Sequence, residues 1–146
     1  MRGTIKKNEA IGRKFEGVMA EKLEGNVVGP EAGRSGPYDV ENKCCLIEVK
    51  SCARLTCDKT VKGKLYCHRG RFVIVQSSHD ALRSEAERMS KTPEYCFVMY
   101  EPKTLDVIKF KEVGWGEVDQ LLKESATTHS RGGMTLLTLW NDKVFG

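Results

Sequence analysis

The sequence predicts an α/β fold with a mixed central β-sheet and helices on both of its faces. An amphipathic helical stripe occupies residues 8–24, and two extended segments separated by a short polar turn follow within residues 38–50. A strand, a helix and a continuously apolar strand then succeed one another between residues 72 and 100, an order that predicts a right-handed crossover between parallel neighbouring strands. In a chain of this length, the alternation predicts one domain covering residues 1–146.

The first helix is predicted from Asn8 to Glu24, with Asn8 as its N-cap and Gly25 as its stop. Two glutamates on it, Glu9 and Glu16, lie seven residues apart and therefore project along one flank of the apolar stripe. The stripe consists of residues spaced three and four apart: Ile11, Phe15, Val18, Met19 and Leu23.

A segment rich in glycine and proline, residues 29–36, follows a possible short strand at Asn26–Val28. It predicts a mobile loop that leads directly to Asp39. Arg34 and Ser35 in this loop are therefore candidates for contact with a nucleic-acid phosphate. A flexible linker that carries one exposed arginine explains the same residues equally well.

The turn Glu41–Lys43 predicts a hairpin that would carry Asp39 back toward Glu48. Successive side chains of a strand point to opposite faces, so Glu48 and Lys50 share one face. Two carboxylates and a lysine would then converge at one place. The extended segments on either side of the turn are Tyr38–Val40 and Cys44–Lys50.

These residue types suit a hard divalent cation, which takes oxygen ligands from one or two carboxylates together with waters and substrate phosphate. Asp39 and Glu48 would supply the carboxylates. Lys50 could orient or help deprotonate the attacking water and offset the charge that develops on the phosphate. The alternative is a solvated strand end, where Glu48 and Lys50 pair for less than about 1 kcal/mol.

Residues 51–64 carry four basic side chains against one acid and predict a basic loop. A strand at Leu65–Cys67, a tight basic turn and a strand at Phe72–Val75 are predicted to follow. Basic residues interleaved with Tyr66 and His68 suit a phosphate backbone, although solvated loops are also often basic. The candidate contacts are Arg54, Lys62, Lys64, Arg69 and Arg71.

The next helix, near residues 76–89, is predicted to begin with a Ser or Asp cap. Gln76 could help to position water or substrate at the neighbouring site, and His79 is expected in the cap region or on the surface. The remaining predicted elements are a strand buried on both faces at Tyr95–Tyr100, a strand at 105–110, a helix at Val113–Lys123, a polar stretch at Glu124–Gly133 and an apolar strand at Met134–Trp140. This last strand is expected either to complete the edge of the sheet or to form a dimer contact.

The cysteine content and the net charge limit the other functions that are compatible with the sequence. The chain contains six cysteines and has a net charge of +4. Without a signal peptide or a transmembrane run we expect a cytoplasmic protein with reduced thiols, in which Cys45 and Cys96 are small buried hydrophobes. A zinc site built from Cys52, Cys57, Cys67 and His68 is the alternative use of the remaining cysteines, at a spacing that matches zinc motifs poorly. The basic excess is consistent with a phosphate-rich partner and does not require one.

The pattern Pro37-x-Asp39 followed by Glu48-x-Lys50 at the end of an apolar strand resembles the PD-(D/E)xK nuclease superfamily, which includes restriction endonucleases and archaeal Holliday junction resolvases. Tyr38 separates the proline from the aspartate, and the proline carries no chemistry. The resemblance implies a restriction-endonuclease-like fold. It also implies that a glutamate of the first helix joins the metal site, with Glu16 as the first choice and Glu9 as the second.

The predicted function is therefore magnesium-dependent or manganese-dependent hydrolysis of DNA phosphodiesters, structure-selective as in junction resolution or of a restriction or repair type. Asp39, Glu48 and the carbonyl oxygen of Val49 would bind the metal, with Glu16 supporting them and Lys50 acting on the water. A homodimer is implied by analogy, and no membrane association is expected. The alternatives are an inactive nucleic-acid-binding module of the same fold and a zinc-stabilised interaction domain.

Overall fold

The computed structural model describes residues 2–28, 37–59 and 63–146. Arg34, Ser35 and Lys62 lie outside these ranges, and no helix within them is long and apolar enough to cross a membrane. The helices are α1 (Arg2–Lys22), α2 (Gln76–Met89), α3 (Trp115–Ser125) and α4 (Asn141–Phe145). The strands are β1 (Asn26–Val27), β2 (Val40–Glu41), β3 (Cys45–Ala53), β4 (Leu55–Lys59), β5 (Leu65–Arg69), β6 (Arg71–Val75), β7 (Thr92–Tyr100), β8 (Val107–Gly114), β9 (Thr127–Arg131) and β10 (Met134–Trp140).

A central sheet has the strand order β1-β2-β3-β7-β8. Its neighbouring strands are antiparallel except for β3 and β7, which run parallel. The sheet is therefore mixed, as the sequence predicts. Helix α1 packs on one face, and α2 and α3 pack on the other together with a three-stranded sheet of order β6-β10-β9. The predicted fold class is confirmed.

The apolar stripe of α1 covers one face of the central sheet. Ile11, Phe15 and Met19 are buried against Ile47 and Val49 of β3. Burial of each such side chain contributes about 1.5–3 kcal/mol before entropic costs. The stripe therefore fixes α1 across β3, the strand that carries Glu48 and Lys50.

The ends of α1 differ from the prediction. The helix begins at Arg2, so the predicted start at Asn8 is wrong. The residues before Asn8 are compatible with a helix, and an asparagine favours the N-cap position without requiring a helix to begin there. The helix ends at Lys22, near the predicted stop. The backbone N–H of Gly25 donates to the carbonyl of Ala20 at 2.8 Å, and a Cβ at Gly25 would lie 2.8 Å from Cγ1 of Val40.

The second face of the sheet carries the larger core. Phe72 meets Phe97 edge to face, with ring centroids 4.8 Å apart, and Tyr95 stacks on Phe97 at 5.7 Å. Leu46 and Leu82 are fully buried beside them. Consecutive residues of β7 from Tyr95 to Met99 are buried, which confirms the predicted strand that is buried on both faces.

The segment between β3 and β6 departs from the predicted basic loop and tight turn. Strand β3 continues to Ala53, and β4 and β5 form an antiparallel hairpin of their own. Strand β5 does not pair with β6, because Gly70 turns the chain between them. A Cβ at Gly70 would lie 1.7 Å from the carbonyl oxygen of Ala53, so only glycine allows this close approach.

Two further predictions about the sheet are wrong. The parallel neighbour of β7 is β3 and not the strand at residues 71–75, which pairs with β10 instead. The polar stretch after α3 forms β9, and a two-residue turn at Gly132–Gly133 connects it to β10. Both glycines have positive φ, as such hairpin turns require. Strand β10 is consequently the middle strand of the second sheet and not an edge of the central sheet.

Helix α2 starts without the predicted Ser or Asp cap. It begins at Gln76, directly after β6, and Val75 occupies the cap position without a side-chain hydrogen bond. The helix ends at Met89, followed by Ser90 in the left-handed conformation. This continuity between β6 and α2 places Gln76 and His79 in the first helical turn.

Candidate active site

The predicted hairpin is present and is organised by Asn42. Its Oδ1 accepts hydrogen bonds from the backbone N–H groups of Cys44 at 3.0 Å and Cys45 at 2.7 Å. The Nζ of Lys91 donates to Oε1 of Glu41 at 2.8 Å and to the carbonyl of Asn42 at 2.7 Å. The reversal lies between β2 and β3, and the lysine at the end of α2 ties it to the rest of the fold.

Asp39 is held against β3 by both its backbone and its side chain. Its N–H donates to the carbonyl of Ile47 at 2.9 Å, and its carbonyl accepts from the N–H of Val28 at 2.7 Å. Its Oδ2 accepts a hydrogen bond from the N–H of Val49 at 2.9 Å. The carboxylate is therefore fixed next to the strand position that separates Glu48 from Lys50.

Glu48 and Lys50 lie on the same face of β3, as the alternation of the strand predicts. The Nζ of Lys50 is 3.9 Å from Oε1 of Glu48, and the side chains are 27% and 17% exposed respectively. Both groups thus remain accessible to a ligand while most of their surface is enclosed. Solvent screens the electrostatic attraction within such a partly enclosed pair less than it screens the attraction within a surface ion pair.

The surroundings raise the pKa of the Glu48 carboxyl well above its usual range. Burial is the largest cause, and the negative charge of Asp39, a hydrogen bond with its carboxylate and the charge of Glu16 act in the same direction. The charge of Lys50 opposes them. Acidic groups gathered in this way repel one another when ionised, and a divalent cation between them would reverse that effect.

The two candidate glutamates of α1 differ in position. Glu16 is half-buried and its charge acts on Glu48, so it lies within electrostatic reach of the hairpin. Glu9 is exposed and forms an ion pair with Arg13, one helical turn away, at 3.6 Å. Glu16 is therefore the stronger candidate of the two, but Asp39, Glu48 and Glu16 do not form a three-ligand metal set in the described part of the chain.

The donor set fits a hard cation better than zinc. Across the described ranges, no group of three or more histidine, cysteine, aspartate or glutamate side chains has the geometry to hold a metal ion. Magnesium needs only one or two carboxylates and keeps several waters, so Asp39 and Glu48 satisfy its requirement. The carbonyl oxygen of Val49, which lies between Glu48 and Lys50 in β3, would be a further ligand of the ion.

The cysteines do not form the alternative zinc site. Cys57 and Cys67 face each other across β4 and β5, with Cα atoms 4.0 Å apart, and are joined by a disulfide. This departs from the expectation of reduced thiols. Cys52 and Cys96 are buried, and burial raises the pKa of each thiol to about 12, whereas zinc binds the thiolate. The predicted burial is thus found for Cys96, while Cys45 is half-buried.

The basic candidates in the described part of the chain have different surroundings. Arg54 is paired with Glu101, with Nη2 3.2 Å from the carboxylate. Lys64 is exposed directly before β5 and Arg69 is exposed at its end, and the guanidinium of Arg71 lies 6.0 Å from the ring centre of Trp140. Lys64, Arg69 and Arg71 are thus the more available cations for a phosphate backbone.

Gln76 is engaged within its own helix. Its Nε2 donates to Oδ1 of Asp80 at 3.0 Å across one turn of α2. This exposed pair uses the side-chain amide that was predicted to position water or substrate. A role at the site would require the pair to open.

His79 lies near the start of α2, as predicted, but it is fully buried, so the alternative of a surface position is wrong. Its Nδ1 is 2.7 Å from the hydroxyl of Tyr95 and its Nε2 is 3.0 Å from Oδ1 of Asp119. Its ring stacks on Trp115 at 4.3 Å. The spacing of three from position 79 to the buried Leu82 is the signal that could have placed the histidine on the buried face.

The buried histidine leads to the candidate site through β7. Tyr95 is the direct neighbour of Glu48 in the parallel register of β3 and β7, and the two side chains share a face. Burial is the main cause that raises the pKa of the Tyr95 hydroxyl, and the charge of Glu48 adds to it. The sequence analysis did not identify this neighbour of Glu48.

The mixed sheet thus presents two carboxylates and a lysine beside β3, at the positions of the motif found in the sequence. The family model of the PD-(D/E)XK nuclease superfamily domain matches residues 2–135. The chain therefore belongs to the PD-(D/E)XK nuclease superfamily, as the resemblance of its motif implied, and this membership indicates a nuclease with a nucleic-acid substrate. No curated protein and no solved structure matches the chain.

Proposed function

We propose that the protein is an endodeoxyribonuclease that uses Mg²⁺ or Mn²⁺ to hydrolyse phosphodiester bonds. The observation that carries this proposal is the convergence of Asp39, Glu48 and Lys50 on β3. Strand β2 pairs with β3 only at Leu46 and Ile47, so within the described residues this edge of β3 has no strand partner beyond Ile47. A phosphate could approach the three side chains from that edge.

Each residue has a distinct part in the proposed reaction. Asp39 and Glu48 hold the cation, which when bound polarises the phosphate and lowers the pKa of a coordinated water. The ammonium of Lys50, 3.9 Å from Glu48, donates a hydrogen bond to the attacking water or to a phosphate oxygen. Its charge then offsets the negative charge that develops during displacement.

Preorganisation supports these assignments. The hydrogen bond from Val49 to Asp39 fixes one carboxylate before any ligand arrives. Glu16 extends the negative field from α1 and would support the cation through a bridging water. Because these groups already lie around one spot, little reorganisation would accompany the chemistry.

The test is cleavage of duplex, branched and single-stranded DNA, with RNA in parallel, in the presence of Mg²⁺ or of EDTA. Wild-type protein should cut DNA only with the metal present. Asp39→Asn and Glu48→Gln should each reduce the rate at least about 100-fold, since each removes a metal ligand. Both variants should still bind DNA, because basic side chains supply most of the affinity.

Glu124→Gln is the matched control, because Glu124 is exposed at the end of α3 and remote in sequence from the site. It should cleave as the wild type does. Full activity in Glu48→Gln with magnesium present would remove Glu48 from the mechanism. Metal-independent binding without cleavage of any substrate would instead assign the chain as a binding module of the same fold.

We further propose selectivity for a DNA structure, and a homodimer that cuts paired strands, as the resemblance to junction resolvases implies. The branched substrates of the panel test the first point and analytical ultracentrifugation tests the second. Preferential cutting of a four-way junction by a dimer would support both. Equal cutting of linear duplex by a monomer would contradict both.

A further inference from the structure

A cavity lies beside the strand that carries the candidate site. Its volume is about 440 Å³, within the range of pockets that enclose a small molecule. The lining residues include Ser51, Thr56, His68, Tyr100 and Arg71. Aromatic, hydroxyl-bearing and cationic residues of this kind are those that bind a nucleotide.

The cavity is close to the proposed chemistry. Cys52 lines the cavity and shares a face of β3 with Glu48 and Lys50, and four residues of strand from Glu48 to Cys52 span roughly 13 Å. A nucleic-acid strand whose phosphate reaches Lys50 could therefore place a neighbouring nucleotide in the cavity. The two sites would then act on one continuous strand.

One wall of the cavity is a face of the β4–β5 hairpin. Thr56 and His68 are direct cross-strand partners and both line the cavity, so their face of the hairpin is turned toward it. Tyr66 lies two residues before His68 on the same face and is 62% exposed. The disulfide between Cys57 and Cys67 lies on the opposite face and braces the pair of strands.

A row of rings continues from this wall to the body of the protein. The ring centroids of Tyr66 and His68 are 6.4 Å apart, and those of His68 and Trp140 are 5.8 Å apart. The guanidinium of Arg71 lies 6.0 Å from the ring centre of Trp140. The row thus offers π surfaces for bases and positive charge for the phosphates that connect them.

We propose that this cavity and the Tyr66–His68 face bind an unpaired nucleotide of the substrate, an inference that rests on the proposed nuclease function. In an intact duplex the faces of the bases are covered by their stacked neighbours. Exposed rings can therefore stack only on bases that are single-stranded or turned out of the helix. The hairpin accordingly selects DNA that contains unpaired nucleotides next to the scissile phosphate.

Binding measured in EDTA tests this without cleavage. The probes are a blunt duplex and the same duplex with a single-stranded extension that carries a fluorescent adenine analogue. Wild-type protein should bind the extended duplex about tenfold more tightly and quench the analogue, as expected for stacking of one base. Tyr66→Ala and His68→Ala should lose most of this preference while their affinity for the blunt duplex changes little.

Two controls separate stacking from a structural effect. Tyr66→Phe keeps the aromatic ring and should retain the preference for the extended duplex. Leu65→Ala removes an apolar side chain that is 67% exposed on the opposite face of the hairpin, and it should leave this preference unchanged. Circular dichroism should show that every variant is folded. Equal affinity of wild-type protein for both probes, or an unchanged preference in Tyr66→Ala and His68→Ala, would overturn the proposal and leave the hairpin as a candidate contact for another protein.

The binding assay and the cleavage assay test the nucleotide site and the nuclease function separately. Glu48→Gln should keep the preference for the extended duplex although it no longer cleaves. If wild-type protein cuts nothing but retains this preference, the nuclease function fails and the nucleotide site stands. If it cuts DNA and binds both probes equally, the nucleotide site fails and the nuclease function stands.

Discussion

The carboxylate of Asp39 accepts a hydrogen bond from the backbone N–H of Val49, 2.9 Å away, the residue between Glu48 and Lys50. A side chain from outside β3 is thereby aligned with two side chains within it. The same contact places Asp39 beside Glu48, and the resulting carboxyl pair is partly enclosed. Acidic groups held together in this way store repulsion that a bound cation would relieve.

Burial of the Glu48 carboxyl, together with this repulsion, predicts that ionised Glu48 destabilises the protein when no metal is bound. A carboxyl whose pKa is raised by folding contributes stability at pH values below its unfolded pKa and loses that contribution as pH rises through the folded pKa. Glu48→Gln should therefore raise the melting temperature at pH 7–8 in EDTA, and the difference should vanish toward pH 4. Thermal unfolding across this range checks it, with Glu124→Gln as the control that stays near wild type. A lower melting temperature for Glu48→Gln at pH 8 would contradict the proposed repulsion.

The buried histidine should be important for stability. His79→Ala removes two hydrogen bonds, one to the buried hydroxyl of Tyr95 and one to Asp119, which keeps its ion pair with Lys123 at 2.8 Å. We expect it to lower the free energy of unfolding by about 2–4 kcal/mol, and Tyr95→Phe by about 1–2 kcal/mol. Urea denaturation of both variants and of the double mutant measures the coupling between the two residues. Strictly additive effects would show that the contact between His79 and Tyr95 is not energetically important.

Two glycines should respond in opposite ways to alanine. A Cβ at Gly70 would lie 1.7 Å from the carbonyl of Ala53, so Gly70→Ala must displace backbone and should destabilise the protein by more than about 3 kcal/mol. Gly12 lies inside α1 with open space around its Cα, and Gly12→Ala should stabilise by roughly 0.5–1 kcal/mol. Chemical denaturation of the two variants compares them directly. A tolerated Gly70→Ala would show that the corner between β5 and β6 is wrongly described.

The thiol count tests the hairpin disulfide. Of six cysteines, Cys57 and Cys67 are paired and Cys44, Cys45, Cys52 and Cys96 are free. Alkylation of denatured protein without a reductant should label four thiols, and prior reduction should raise this to six. Intact-mass spectrometry reads both values. Six labelled thiols before reduction would contradict the pairing.

Local patterns in the sequence predicted the parts of the fold that depend on nearby residues. The apolar stripe of α1, the turn before Cys45 and the continuous burial of β7 follow from helical period, turn chemistry and apolar composition. The convergence of Asp39 and Glu48 followed as well, because a short hairpin leaves few alternatives for their placement. The motif at these positions also identified the superfamily.

The missed features depend on contacts between distant segments. Strand β6 pairs with β10, which lies more than sixty positions further along the chain. From the local sequence alone, a hairpin between β6 and the adjacent strand at Leu65–Cys67 is the simpler interpretation. The burial of His79 requires Asp119 from α3 as its partner. The pairing of Cys57 with Cys67 becomes visible only once residues 55–59 are known to form a strand.

The most direct measurement of the central claim is anomalous diffraction from crystals soaked in Mn²⁺. The account predicts one strong peak between the carboxylates of Asp39 and Glu48, about 2.1 Å from an oxygen of each, as a hard octahedral cation requires. The peak should be absent in crystals of Glu48→Gln. No peak at this position in the wild-type protein, or an ion bound elsewhere while DNA is cleaved, would contradict the account.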